Sequence, residues 1–120
     1  MRKRYLVHVG RKNHARAKAY CKSKKGKLAE PKSASDYNAI VALAKRRSVR
    51  SFWIGIHDKT KEGRFTYESD GKPIVWKNWN TGEPNNMSNE DCVESVLKGS
   101  KGKCNDCRCN RRRSFVCEMT

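Results

Sequence analysis

Six cysteines in a chain of 120 residues are the strongest limit on what this sequence can fold into. Apolar residues make up only 36% of the chain and charged residues 33%, so its core is thin. An even number of cysteines in such a chain favours disulfides and an oxidising compartment. A zinc site is the alternative, because Cys104, Cys107 and Cys109 lie close together. No histidine lies near them in the sequence, and the neighbouring carboxylates favour oxygen ligands, so disulfides are the preferred interpretation.

Residues 81–106 concentrate side-chain oxygens in a chain that has 28 basic and only 12 acidic residues. Carboxylates held close together repel one another unless a cation lies among them, and ligands that are all oxygen suit calcium. A polar surface loop rich in turn-forming residues is the alternative. The carboxylates and amides concerned are Glu83, Asn85, Asn86, Glu90, Asp91, Asn105 and Asp106.

The formal net charge of +16 predicts attraction to polyanions, although a solvated basic surface without a specific partner would have the same composition. The three histidines are scattered and no serine lies in a recognisable nucleophile motif, so we do not expect an enzyme. We also expect no nucleic-acid partner. No apolar run approaches the length of a membrane-spanning helix, so membrane insertion is not expected either.

The order of periodic segments predicts an α+β fold in one domain, residues 1–120. Asn13 is a candidate N-cap for a first helix that reaches about Lys25, and Ser33 begins a second helix. That second helix has an apolar stripe, formed by Tyr37, Ile40, Val41 and Ala44. Strands are predicted at residues 5–9, 52–56, 64–68, 92–97 and 114–118.

Several short motifs, in this order and at these spacings, resemble a C-type lectin-like carbohydrate-recognition domain over essentially the whole chain. They are Cys21, Trp53-Ile54-Gly55, Glu83-Pro84-Asn85, Glu90-Asp91-Cys92, Asn105-Asp106-x-x-Cys109 and Phe115-Val116-Cys117-Glu118. The sequence is most similar to collectins and mannose-binding-type lectins. The resemblance implies two helices packed on small antiparallel sheets, a long calcium-binding loop region and disulfide staples. It also implies secretion to the extracellular space and calcium-dependent glycan recognition, as in innate immunity.

The resemblance assigns residues to these roles. It implies disulfides Cys21–Cys117 and Cys92–Cys109. It implies a sugar-binding calcium held by Glu83, Asn85, Glu90, Asn105 and Asp106. The Glu-Pro-Asn order is similar to lectins that prefer terminal mannose-type sugars. It further implies a second calcium at Asp58, Glu62, Asn86, Glu90 and Asp91, although Asp58 and Glu62 could equally belong to an ordinary charged turn.

Two features depart from the family pattern. Cys104 stands where most members have tryptophan, and Cys107 follows three residues later, so we predict a local Cys104–Cys107 disulfide that fixes the turn carrying Asn105 and Asp106. The second departure is the high positive charge, which suggests an alternative function. In that alternative the chain is a basic module that binds sulfated glycan, lipopolysaccharide or biomineral, and calcium is structural. Oligomerisation is compatible with either function.

Overall fold

The computed structural model describes residues 4–57, 64–76, 92–98 and 101–119. For residues 98, 101–103, 106 and 107 it describes only the backbone. No helix in the described part of the chain is long and apolar enough to cross a bilayer. In chain order the elements are β1 (Arg4–Lys12), α1 (His14–Ser23), β2 (Gly26–Leu28), α2 (Ala34–Arg46), β3 (Ser51–His57), β4 (Thr66–Tyr67), β5 (Cys92–Lys98), β6 (Lys101–Cys107) and β7 (Arg113–Met119).

Both helices begin at the predicted caps. The Asn13 side chain accepts a hydrogen bond from the backbone N–H of Arg16 at 2.9 Å, and Ser33 accepts one from Asp36 at 3.1 Å. Asp36 in turn accepts a bond from the backbone N–H of Lys32 at 3.0 Å, one residue before the cap. The bonds to Asn13 and Ser33 satisfy N–H groups that the first turn of a helix leaves without partners. The start of each helix is therefore fixed by local sequence.

The described strands form one connected sheet with the order β1-β7-β3-β5-β6, while β2 also pairs with β7 and β4 with β3. Most pairs are antiparallel, as expected, but β3 and β7 run parallel, with Phe52 opposite Ser114 and Trp53 opposite Phe115. All five inner positions of both β3 and β7 are buried. Strands covered on both faces are mostly apolar, and this is why the apolar runs 52–56 and 115–117 lie in inner strands of the sheet, although Ser114 and Glu118 are buried there too.

Trp53 is the largest side chain in a fully buried cluster that also contains Phe115 and three cysteines, Cys21, Cys92 and Cys117. The predicted apolar stripe of α2 packs into the second and larger core cluster. The helix α1 buries His14 together with Ala17 and Cys21, so a histidine that the sequence leaves unassigned is part of the core.

Two disulfides join distant parts of the fold, and they are the pairs that the resemblance implies. Cys21 in α1 is bonded to Cys117 in β7, 96 residues away, and Cys92 at the start of β5 is bonded to Cys109, 17 residues away. In the loop-entropy model, a disulfide that closes a loop as long as that of Cys21–Cys117 stabilises the fold by about 4.7 kcal/mol. One that closes a loop as short as that of Cys92–Cys109 stabilises it by about 3 kcal/mol. Because Cys109 is in a disulfide, the alternative zinc site loses one of its three cysteines.

The predicted Cys104–Cys107 disulfide does not fit the backbone of β6. Both residues lie in one continuous strand, where Cys104 pairs with Ser95 and Cys107 pairs with Cys92. Residues three apart in an extended strand have Cα atoms about 10 Å apart, and a disulfide requires less than about 7 Å. The sequence predicts a turn here, whereas the seven-residue pairing of β6 with β5 holds this stretch extended.

Candidate functional site

The predicted site lies partly within the described residues. Asn105 and Asp106 are near the end of β6, where Asn105 pairs with Glu94 and Asp106 with Val93 of β5. The other predicted ligands lie outside the described residues. For the sugar-binding calcium these are Glu83, Asn85 and Glu90, and for the second calcium they are Asp58, Glu62, Asn86, Glu90 and Asp91.

The strand pairings bring three chain segments to one end of the sheet. His57, the last residue of β3, is opposite Cys92, the first residue of β5, and Cys92 is in turn opposite Cys107 of β6. Asp58 follows His57 directly in sequence, Asp91 precedes Cys92, and Asp106 precedes Cys107. Strands β3, β5 and β6 therefore start or end at the same end of the sheet, each next to one of these carboxylate-bearing residues.

The side-chain oxygen Oδ1 of Asn105 is buried and has no hydrogen-bond donor among the residues that the structure describes. A buried amide oxygen without a partner costs about 1–3 kcal/mol, so such an atom is normally compensated. Calcium takes amide and carboxylate oxygens as ligands. The donor chemistry at this position thus fits a calcium ion, and within the described residues no cluster of three or more His, Cys, Asp or Glu side chains offers another metal site.

Cys104 supports Asn105 from the core side of β6. It is 4% exposed and belongs to the larger core cluster, where it lies beside Tyr37 of α2. Burial, reinforced by Cys104, raises the pKa of the Tyr37 phenol far above its usual range. The Tyr37 hydroxyl is hydrogen-bonded to Ser95, the residue that pairs with Cys104 across the strands. Cys104 is therefore packed in the core, and it directly precedes the predicted ligand Asn105.

A second polar cluster, which the sequence interpretation missed, fixes the end of β3. The carboxylate of Glu68 is 6% exposed and contacts two nitrogen atoms, Lys18 Nζ at 2.8 Å and His57 Nε2 at 2.9 Å. Burial by itself raises the pKa of Glu68, but hydrogen bonds from His57 and Lys18 outweigh it and lower the pKa to about 2. The sequence gives little indication of this cluster, because Glu68 follows a two-residue strand and its partners Lys18 and His57 are 50 and 11 positions away.

The chain matches the family description "Lectin C-type domain" over residues 10–119. It is 34% identical over 119 residues to a "Tetranectin-like protein" of Carcharhinus perezii, covering 98% of this chain and 70% of that protein. It is 40% identical over 103 residues to a "Mannose-binding protein" of Gallus gallus, covering 85% of this chain and 38% of that protein. The chain thus spans well under half of the chicken protein's length.

Among solved structures, the cow C-type carbohydrate-recognition domain of CD23, determined in the presence of a GlcNAc2Man3 oligosaccharide, is 31% identical with a TM-score of 0.85. That match covers 98% of this chain and 88% of the CD23 chain. The likeness in fold therefore extends over nearly the whole chain. By its match over residues 10–119 and its identity to these relatives, the chain belongs to the C-type lectin domain family.

Proposed function

We propose that this domain is a calcium-dependent lectin that binds terminal mannose-type sugars on glycans, as an extracellular recognition module. The observation that carries the proposal is the buried Oδ1 of Asn105, which has no hydrogen-bond donor in the described part of the chain. Five residues would hold the ion, which are Glu83, Asn85, Glu90, Asn105 and Asp106.

The chemistry of these residues suits a shared metal and sugar site. Calcium can accept seven or eight oxygens, so five side chains leave positions for two sugar hydroxyls. The carboxylates of such a set accept hydrogen bonds from hydroxyl groups, and the asparagine amides donate them. A pair of neighbouring hydroxyls would then be recognised by the ion and the protein together.

Support for mannose-type specificity comes from Glu83-Pro84-Asn85 and from the relatives. The chicken relative is named a mannose-binding protein, and the CD23 domain was determined with a mannose-containing oligosaccharide. The chain is about as similar to relatives with other names, such as the tetranectin-like protein. Similarity alone therefore does not decide the sugar, and the mannose preference is part of the proposal.

We also propose a second, auxiliary calcium at Asp58, Glu62, Asn86, Glu90 and Asp91. The support is that β3 ends at His57 and β5 begins at Cys92, its partner across the sheet. The segment 58–62 therefore begins, and the segment 86–91 ends, next to two residues that are paired across the sheet. An ion there would offset the repulsion among four carboxylates.

Affinity chromatography on mannan tests the proposal. The protein should bind mannan in calcium, should be released by EDTA at constant salt, and should be displaced by free mannose but not by galactose. Displacement by galactose alone would overturn the assigned specificity. Failure to bind mannan in calcium, or release by salt and not by EDTA, would overturn the proposed site.

A further inference from the structure

A basic cleft, separate from the predicted calcium ligands, lies at the start of α1. It has a volume of about 340 Å³ and its lining residues are Arg11, Lys12, Asn13, Arg16 and Arg112. We call it the α1 cleft. Four of these five residues carry a positive charge, and they come from the end of β1, the first turn of α1 and the segment before β7.

The backbone that carries these cations is held in place from two sides. The N–H of His14 donates a hydrogen bond to the carbonyl of Cys109 at 3.0 Å, which joins the start of α1 to the segment that carries Arg112. The buried indole of Trp53 donates to the carbonyl of Lys12 at 2.9 Å. The Cys92–Cys109 disulfide anchors the same segment to β5. The backbone of the cleft is therefore held in place, so a ligand would have to order only the side chains of the cleft.

The described residues leave the positive charges of the α1 cleft without neutralising carboxylates. In the part of the chain that the structure describes, none of its four cations forms an ion pair with a carboxylate, and the first turn of α1 contains no acidic residue. Two nearby cations do form ion pairs with carboxylates, Lys18 with Glu68 and Arg113 with Glu94. Like charges held together in this way repel, and the N-terminal end of the helix dipole adds to the positive potential.

We propose that the α1 cleft binds sulfate groups of a sulfated polysaccharide, independently of calcium. Three of the four cations are arginines, whose planar donor groups form paired hydrogen bonds with oxyanions. The two disulfides place the domain in an oxidising environment, where sulfated polysaccharides are available polyanions. The lining residues that the structure describes include no aromatic side chain on which the bases of a nucleic acid could stack.

This inference goes beyond the proposed lectin site and does not depend on it. None of the lining residues of the α1 cleft is a predicted calcium ligand. Removal of calcium should abolish mannan binding and leave the α1 cleft intact. Binding measured in EDTA thus reports on the cleft alone, and the two proposals can fail separately.

The experiment compares two double variants in binding to a heparin oligosaccharide, with EDTA present, at about 0.15 M salt. Arg16→Gln with Arg112→Gln removes two charges from the α1 cleft. Lys45→Gln with Arg50→Gln is the matched control, because it removes two exposed charges from another basic cleft of about 350 Å³ at the end of α2. Circular dichroism and the unfolding midpoint of each variant confirm that it is folded.

The α1-cleft variant should bind at least about tenfold more weakly than the unsubstituted protein, and the control should change by less than about twofold. The slope of log K against log salt concentration should fall by about 1.5 for the α1-cleft variant, if each lost contact releases counterions as on other polyanions. Equal losses in the two variants would overturn the proposal in favour of a diffuse basic surface. Loss of heparin binding in EDTA, or equal binding of a single-stranded oligonucleotide of matched charge, would also overturn it.

Discussion

The Nε2 atom of His57 lies 2.9 Å from an oxygen of Glu68, and this contact fixes the last residue of β3. Lys18 of α1 contacts the other carboxylate oxygen at 2.8 Å, so one buried carboxylate connects a helix to the end of a central strand. The predicted ligand Asp58 follows His57 directly. The contact thus fixes the residue that directly precedes this predicted ligand.

The Glu68 carboxylate should make stability dependent on pH. Its pKa is about 2 in the folded protein against an ordinary value of 4.5, so the unfolded chain takes up a proton first as the pH falls. Its contribution is therefore complete above about pH 5 and disappears as the pH approaches 2. Glu68→Gln should lower the free energy of unfolding by about 1–3 kcal/mol at pH 7, and the difference from the unsubstituted protein should vanish near pH 2. Urea unfolding at several pH values measures it.

Lys18→Met provides the control for this prediction. Lys18 is 53% exposed, so its ion pair is screened by solvent and its removal should cost less than the loss of the carboxylate charge. A loss of stability in Glu68→Gln that is the same at all pH values would contradict the electrostatic explanation. A larger effect from Lys18→Met than from Glu68→Gln would contradict it as well.

Gly55 is required by a close approach of two backbone segments. A Cβ atom at this position would lie 2.8 Å from the carbonyl oxygen of Leu28 and 2.8 Å from Cγ of Glu30. Glu30 cannot easily move, because its carboxylate is fully buried and accepts hydrogen bonds from the backbone N–H and the hydroxyl of Ser69, each at 2.8 Å. Gly55→Ala should therefore lower the free energy of unfolding by about 1–3 kcal/mol, measured by urea unfolding.

Gly10→Ala is the matched control. A Cβ on Gly10 would lie 2.8 Å from Cε1 of the His8 side chain, and its nearest neighbours include no backbone atom. Its cost should be clearly smaller than that of Gly55→Ala. Equal losses of stability would show that general strand propensity, rather than the approach of Leu28 to Gly55, explains the effect of substituting Gly55.

Local signals in the sequence are sufficient to predict the two helices and most of the strands. Asn13 and Ser33 cap the two helices as predicted, and the apolar stripe of α2 is buried. The apolar runs 52–56 and 114–118 became the two central strands β3 and β7. Each of these features depends on residues close in sequence, so each can be recognised without knowledge of the partner.

Features that depend on contacts between distant residues could not be predicted in this way. The predicted turn and disulfide at Cys104 and Cys107 are wrong because the pairing of β6 with β5, which local sequence does not reveal, holds both residues in one strand. The α1 cleft combines Arg16 with Arg112, which are 96 positions apart in sequence. The ion pairs of Glu68 likewise require three elements to be in place before they can form.

Asn105 offers the most direct test of the proposed calcium site within the described residues. If its buried Oδ1 is a calcium ligand, Asn105→Ala should lower the affinity for calcium at least about tenfold, or about 1.4 kcal/mol, in a calorimetric titration. In EDTA the same variant should be at least as stable as the unsubstituted protein, because it removes a buried oxygen that has no described donor. Asn110→Ala, at an exposed asparagine between β6 and β7, should change neither quantity. An Asn105→Ala variant that binds calcium normally, or that is destabilised in EDTA, would show that Asn105 has a structural role instead.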